Sequence, residues 1–469
     1  MNYYFLGIGG IGMSALARFF KQRGDIVSGY DRTESQLTRQ LVAEGIPVHY
    51  TDDPALIPDA IDLVVYTPAV PEQTAEFQHL LQKGVPMQKR SQVLGELTHG
   101  KKCLAVAGTH GKTSTSTLVA HFLQHTELGC SAFLGGISKN FNSNMVVDGG
   151  SDYVVVEADE YDRSFLQLHP YCGVVTATDA DHLDIYGTHE NLLAAFRQFA
   201  SQTDPDGFLV VKQGLPLLDD NVGHSDHPSD EAHTCHHHNG QPSLNTKVVT
   251  YTAHGIEADF YPWNVRNYNG NIFFDLRTPK GVIYDLELPN TSLYNVENAV
   301  AAAAVVMTLG VDEHQLRYGF KTYEGVRRRF DYRIKTNQLV MIDDYAHHPQ
   351  EIAACIESVR YLYPGKRVVG VFQPHLYSRT RDFADQFAEV LSTLDELIMM
   401  PIYPAREKPI LGVTSSMVLR KINSLSKYLC TPDQVLELVP ALCPDVVLTM
   451  GAGDIDRLVP RLETVLKEL

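Results

Sequence analysis

The run Cys103-Leu104-Ala105-Val106-Ala107, followed by Gly108-Thr109-His110-Gly111-Lys112-Thr113-Ser114 and a stretch of helical length, decides how this chain is read. Five small apolar residues without polar alternation describe a strand covered on both faces, as in a parallel sheet. A glycine-bearing turn from strand to helix lets backbone N–H groups face phosphate oxygens. The helix amino terminus adds positive potential and Lys112 a point charge. Thr113 follows with a hydroxyl of the kind that ligates Mg2+. The strict Gly-x-x-x-x-Gly-Lys-Thr spacing is broken, because Val106 stands where the first glycine would be. The competing reading is a plain glycine turn with an exposed lysine. Strand, loop, Lys-Thr and helix in register favour the phosphate site.

The same pattern extends along the chain. Short runs rich in Val, Ile, Tyr and Phe alternate with amphipathic stretches, which predicts an α/β protein with parallel sheets crossed by helices. A first unit, residues 1–99, holds strands at Tyr3–Ile8, Ile26–Asp31 and Ile61–Thr67. A second, 100–326, adds strands at Tyr153–Ala158 and Gly173–Thr178, an antiparallel-looking region from Lys247 to Leu288, and an Ala-rich helix Asn298–Leu309. A third, 327–469, holds strands at Leu339–Asp343, Arg367–Phe372, Glu396–Met400 and Val446–Met450. The expected architecture is a Rossmann-like first domain, a central phosphate-loop ATPase domain with a mixed sheet, and a Rossmann-like third domain. Residues 214–245, rich in His, Pro, Ser and Asp, read as a solvated insertion rather than a metal site.

Two acidic segments belong with the phosphate loop. Glu157-Ala158-Asp159-Glu160 ends a strand, and ligand sites of open sheets gather at the carboxyl ends of strands. Glu157 is therefore expected to ligate Mg2+, with Mn2+ an acceptable substitute, and its neighbours to be solvated. Thr178-Asp179-Ala180-Asp181-His182-Leu183-Asp184 concentrates carboxylates and an imidazole on one loop, its alternative being an acidic capping turn. Near the amino end, Gly7-Ile8-Gly9-Gly10-Ile11-Gly12 joins a strand to a helix, with Asp31 ending the next strand. That matches the dinucleotide fingerprint, but the same geometry holds the diphosphate of any nucleotide-linked substrate. Together with the phosphate loop it argues for two nucleotides, one of them ATP.

Composition narrows the rest. The chain has 469 residues, 44% of them apolar, and 39 basic against 56 acidic residues give a net charge of −17. Such a balance repels nucleic-acid backbones and anionic lipid surfaces. Seven scattered cysteines without a Cys-x-x-Cys pair read as reduced core thiols. With no leader pattern and no apolar run of bilayer length, a cytoplasmic protein without membrane insertion is expected.

These motifs, with RRRFD at Arg327–Asp331, DDYAHHP at Asp343–Pro349 and FQPHLYSRT at Phe372–Thr380, resemble the Mur ligases along nearly the whole chain. The resemblance implies three domains, for a UDP-sugar, ATP and an amino acid in turn. His110, DDYAHHP and FQPH are most similar to the family branch that joins L-alanine to the carboxylate of UDP-N-acetylmuramate through an acyl phosphate. It implies an ATP site formed by Gly108, Thr109, His110, Gly111, Lys112, Thr113 and Ser114. Asn295 and Asn298 would sit near adenine, and Arg328 and Arg329 would reach the phosphates. Thr113, Glu157 and His182 would hold metal. Gly9, Gly10, Ile11, Gly12, Met13 and Ser14, with Asp31, would bind the UDP-sugar. Tyr345, His348 and Arg379 would line the alanine site, and Lys112, His182, His348 and Arg379 would act in catalysis, in a monomer or homodimer. Tyr294, Ala346 and Leu376 depart from residues common in the family. The rivals are a ligase of wall recycling that takes a tripeptide, a nicotinamide-dependent oxidoreductase, and a non-catalytic nucleotide-binding regulator.

Overall fold

The computed structural model describes residues 1–217, 244–253, 255, 257–405, 407–422 and 426–468, so most of the His-rich stretch lies outside the described residues. The fold is α/β, and the described residues form two compact units. One comprises 1–262, 276–283 and 297–319, and the other 263–275, 284–296 and 320–469.

The first unit carries two sheets. Five parallel strands, β1 (Asn2–Leu6), β2 (Ile26–Tyr30), β3 (Val48–His49), β4 (Leu63–Tyr66) and β5 (Met87–Lys89), are ordered β3-β2-β1-β4-β5. The order reverses between β1 and β4, and the glycine fingerprint leaves β1 at that switch point, where open sheets bind ligands. Seven further strands are β6 (Lys102–Ala107), β7 (Ser131–Ser138), β8 (Ser143–Val146), β9 (Tyr153–Glu157), β10 (Cys172–Val175), β11 (Phe208–Lys212) and β12 (Lys247–Tyr251). Their order is β12-β11-β10-β6-β9-β7-β8. Only β7 and β8 pair antiparallel; the phosphate loop leaves β6 at the second switch point, between β10 and β9. Cys103 to Ala107 are fully buried, as the unalternated apolar run requires. One apolar core runs through both sheets, from Phe5, Leu16 and Phe20 to Ala105, Phe165 and Phe199.

The region from Lys247 to Leu288 is only partly as expected. Lys247–Tyr251 pairs parallel with β11 and completes the large sheet. Its Val-Val-Thr run fits either pairing, so the sequence alone does not separate the two. The residues that follow form a separate three-stranded sheet, β13 (Tyr261–Tyr268), β14 (Asn271–Thr278) and β15 (Gly281–Leu288). The Ala-rich helix spans Asn295–Thr308, one turn earlier at its start than the apolar pattern suggests.

The second unit holds β16 (Asp331–Lys335), β17 (Val340–Asp344), β18 (Val368–Phe372), β19 (Glu396–Met399), β20 (Lys427–Leu429) and β21 (Val446–Met450), ordered β16-β17-β21-β18-β19-β20. All pair parallel except β16 with β17. Met341, Val369, Val447, Ile455 and Leu462 head its core.

A carboxyl group lies buried beside the first sheet. Glu76 has no exposed surface, accepts the Tyr4 hydroxyl at 2.5 Å and the Asp53 N–H at 3.1 Å, and stands 3.5 Å from His49. Burial pushes it up to about 7, with Asp52 and Asp53 adding to the rise and the Tyr4 bond opposing it. A folded-state pKa above the unfolded one makes the folded chain the stronger proton binder. The stability so contributed is complete below the ordinary carboxylate range and is lost as pH rises through about 7. Glu76→Gln should therefore gain stability relative to the parent between pH 5 and pH 8, read as the difference in urea midpoint at each pH. His49, whose pKa burial lowers, slopes the other way and touches Glu76, so the same difference is also read in a His49→Gln background. A pH-independent difference would refute the assignment.

Candidate active site

The phosphate loop is shaped by two glycines that other residues could not replace. Gly108 has φ +137°, and a Cβ there would overlap the Thr176 hydroxyl. Thr176 donates to the carbonyls of Ala107, at 3.1 Å, and of His110, which closes the turn. Gly111, at φ +81°, is the N-cap of the helix Lys112–Gln124, and a Cβ on it would overlap the Asn298 amide oxygen. Asn298 thus stands against the phosphate loop itself. Thr109 donates its N–H to Ala177 and accepts from the Asp179 N–H at 3.1 Å, which ties the loop to the acidic segment after β10. His110 lies 3.8 Å from Asp179, while Thr113 and Ser114 are buried in the first helical turn.

Lys112 projects its ammonium onto the Gly108 carbonyl at 2.6 Å and the Glu160 carboxylate at 2.8 Å. Glu160 is 1% exposed, so the expectation that Glu157's neighbours are merely solvated fails for it. It was missed because one carboxylate within a run of acids carries no local sign of burial. Burial alone would lower the Lys112 pKa; the charges of Glu160, Asp159 and Glu157 reverse that and hold it above its ordinary value. Burial would likewise raise Glu160, but Lys112 and His182 bring it down to about 2. His182, 3.6 Å from Glu160, is raised by that carboxylate against its own burial. The Tyr186 hydroxyl fixes the Glu160 backbone at 2.6 Å. Glu157 is held from the side, accepting the Gly135 N–H at 3.1 Å, and any Cβ on Gly135 would overlap its carboxyl group.

Of the residues expected to hold metal, Thr113 and Glu157 are the ones that offer oxygen donors. A preformed group of three His, Cys, Asp or Glu side chains able to hold a metal is absent among the described residues. This set fits Mg2+, which commonly takes one or two protein oxygens and fills its octahedron with phosphates and water.

At the fingerprint, Gly10 is the N-cap of α1 (Ile11–Gln22). The Gly9 N–H donates to Asp31 at 2.8 Å, so the predicted ribose acid also braces the loop. Ile11 is exposed and Met13 buried, and Ser14 is buried and bonded to the Ile11 carbonyl. Arg90, unnoticed in the sequence, lies against Gly12 and reaches Asp159 at 3.4 Å, while Lys89 pairs with Asp162 at 3.1 Å. The basic pair just ahead of a predicted domain break was the available signal.

In the second unit the guanidinium carbons of Arg328 and Arg329 lie 5.1 and 5.2 Å from the centre of the Tyr345 ring, within cation–π range. Arg328 has φ +62° and pairs with Asp343 at 3.3 Å. Asp344 accepts the Phe330 and Ala346 N–H groups at 2.7 Å and the Tyr294 hydroxyl at 2.8 Å. Burial pushes Asp344 up to about 6, against the pull of Arg329. Tyr294 is thereby spent on Asp344, and Asn295 is buried with its N–H on Ser292. His348 is the N-cap of the helix Pro349–Leu362, its ring 4.7 Å from that of Phe383. His347, not singled out before, bonds the Tyr345 carbonyl at 3.0 Å; its pKa is lowered by burial, with the Arg379 charge adding to the effect. His347 faces His375 at 5.9 Å, and His375 stacks on Tyr403. The structure thus gathers Arg328, Arg329, Tyr345, His347 and Arg379 at the carboxyl ends of β17 and β18.

Comparison with known proteins bears on this geometry. Residues 2–102 match the model of the Mur ligase family catalytic domain, 106–306 the Mur ligase middle domain, and 328–453 the Mur ligase glutamate ligase domain. The UDP-N-acetylmuramate–L-alanine ligase of Phocaeicola vulgatus is 47% identical over 98% of this chain and 97% of its own. That of Parabacteroides distasonis is 48% identical over 99% and 96%. The crystal structure of UDP-N-acetylmuramate–alanine ligase from Thermotoga maritima superposes with a TM-score of 0.83 at 26% identity, covering 100% of this chain and 99% of that one. Matched by three successive models of one family and aligned end to end with these relatives, the chain belongs to the Mur ligase family.

Proposed function

We propose that this chain is an ATP-dependent ligase that joins L-alanine to the carboxylate of UDP-N-acetylmuramate in peptidoglycan synthesis. The observation that carries the reading is near-complete alignment, at 47% and 48% identity, with two ligases of that name. The partly buried lysine at a helix amino terminus, beside oxygen donors, supports it chemically. We assign residues 1–99 to the UDP-sugar, 100–326 to ATP and 327–469 to the amino acid, in a cytoplasmic monomer or homodimer.

A carboxylate resists amines in water because its charge repels nucleophiles and oxide is a poor leaving group. An oxygen of the muramoyl carboxylate attacks the γ-phosphorus of ATP, the bond from that phosphorus to the β-phosphate oxygen breaks, and acyl phosphate and ADP result. Lys112 and the amides of Gly108 to Ser114 offset the charge of the two anions as they approach. Thr113 and Glu157, with His182 at a second position, would hold Mg2+, which would supply Lewis-acid stabilisation of the transferred phosphoryl group. The alanine amine, having given a proton to His348 or water, attacks the acyl carbon; the bond from that carbon to the phosphate oxygen breaks, and phosphate leaves with the second amine proton as the amide forms. Arg328, Arg329 and Arg379 supply positive charge for phosphate and carboxylate, with Tyr345 at the amino-acid site. Asn295 and Asn298 serve the adenine end, and Gly9 to Ser14 with Asp31 the UDP-sugar.

Phosphate release with UDP-N-acetylmuramate, ATP and Mg2+ should be triggered by L-alanine and not by a tripeptide acceptor. Release on the tripeptide alone would assign the chain to wall recycling, and an NAD(P)H absorbance change would overturn the class. Lys112→Ala should cut turnover by about a thousandfold or more, the scale of a lost transition-state donor, while UDP-sugar affinity by calorimetry stays within about twofold. Gly135→Ala should displace Glu157 and raise the Mg2+ concentration for half-maximal rate by about tenfold or more, the scale of a disturbed support around a metal ligand. An unchanged Mg2+ requirement would remove Glu157 from the metal site.

A further inference from the structure

Asn144 lies on β8, the edge strand of the seven-stranded sheet, with no exposed surface. Its amide nitrogen donates to the Ile11 carbonyl at 2.5 Å and to the Ser14 hydroxyl at 3.0 Å. Its amide oxygen accepts from Arg18 Nη1 at 2.6 Å, and the rest of that guanidinium forks onto Glu44 at 2.7 and 2.8 Å. Ile11 and Ser14 form the first turn of α1, directly behind the glycine fingerprint, and Arg18 is one turn further on. One residue of the central sheet therefore grips the helix on which the UDP-sugar loop is built.

The other strand of the same hairpin grips the opposite side of the reaction. β7 pairs with β9 in the register Phe133↔Val156, and its Gly135 N–H holds the Glu157 carboxylate. Phe133, two residues before that contact, packs its ring 5.4 Å from Phe19 of α1. An unbroken chain of contacts thus runs from the fingerprint turn, through Asn144 and the β8–β7 hairpin, to the acid at the phosphate site. Burying an amide and a guanidinium is unfavourable unless every polar atom is paired, and here each is. An apolar pair would fill the same space without that demand, so what the polar set adds is a fixed register between helix and strand.

We propose that Asn144 is a positioning residue for the ligation, setting the distance between the UDP-sugar loop and the phosphoryl-transfer site. The proposal rests on the ligase reading above. In-line attack requires the sugar-borne carboxylate within about 3–3.5 Å of the phosphorus, and a displacement of about 1 Å costs on the order of a hundredfold in rate.

The test uses the full chain with Asn144→Ala and Asn144→Asp. The aspartate keeps the acceptor for Arg18 but loses both donor bonds and sets a carboxylate against the Ile11 carbonyl. Both variants should lower kcat by about 10- to 100-fold, while ADP affinity by calorimetry stays within about twofold of the parent. Asn144→Asp should also lower the melting temperature, since two buried acceptors lose their donor, and the retained ADP affinity is what separates a shifted register from general loosening. Parental kcat in Asn144→Asp would overturn the proposal, because Arg18 pairing alone would then suffice. ADP affinity falling in step with kcat would overturn it too, as general loosening. If the parent chain itself makes no product from L-alanine, the ligase reading has failed rather than this one.

Discussion

A lysine ammonium placed in a buried turn at the start of a helix meets two positive fields, its own charge and the helix terminus, with little water to screen them. The chain meets that demand with Glu160, and much of the central site follows from the choice. Glu160 must be buried to reach Lys112, so Tyr186 anchors its backbone and His182 shares its charge. The acidic segment after β10 must then fold back over the loop, which the Thr109–Asp179 bond achieves. A polyphosphate would compete for the same ammonium that the carboxylate now holds. The paired lysine is thereby kept charged and oriented.

The sheets and their crossovers were largely legible, because β6, β17, β18 and β21 are unalternated apolar runs and the turns after them carry glycine, proline or paired acids. The fingerprint and phosphate loops were legible for the same reason. What escaped reading depended on distant partners. Lys247–Tyr251 joins the large sheet only because β11 offers a free edge. Arg90 and Asn144 matter because the first two sheets share a core, and no local pattern announces that Arg90 touches Gly12 or that Asn144 meets Ile11.

Motif residues also divide into those that face chemistry and those that build the platform. In DDYAHHP, Asp343 pairs with Arg328 and Thr449, and Asp344 receives two backbone N–H groups and the Tyr294 hydroxyl. Two adjacent acids at a strand end look catalytic in sequence, yet these two are consumed by the backbone that presents Tyr345 and the arginines. Tyr294 shows the converse. A departure from the residue common in the family keeps a polar tip at that position, and the tip finds Asp344.

Gly108 and Gly135 share one property: the space where a side chain would begin is already filled, by the Thr176 hydroxyl in one case and the Glu157 carboxyl in the other. Every single-base change in a glycine codon that alters the amino acid installs something larger. Neither position can drift by such a step without pushing aside a group next to the phosphate site. A population escaping an inhibitor lodged there would have to find its changes elsewhere, or alter the threonine or the glutamate in the same stroke.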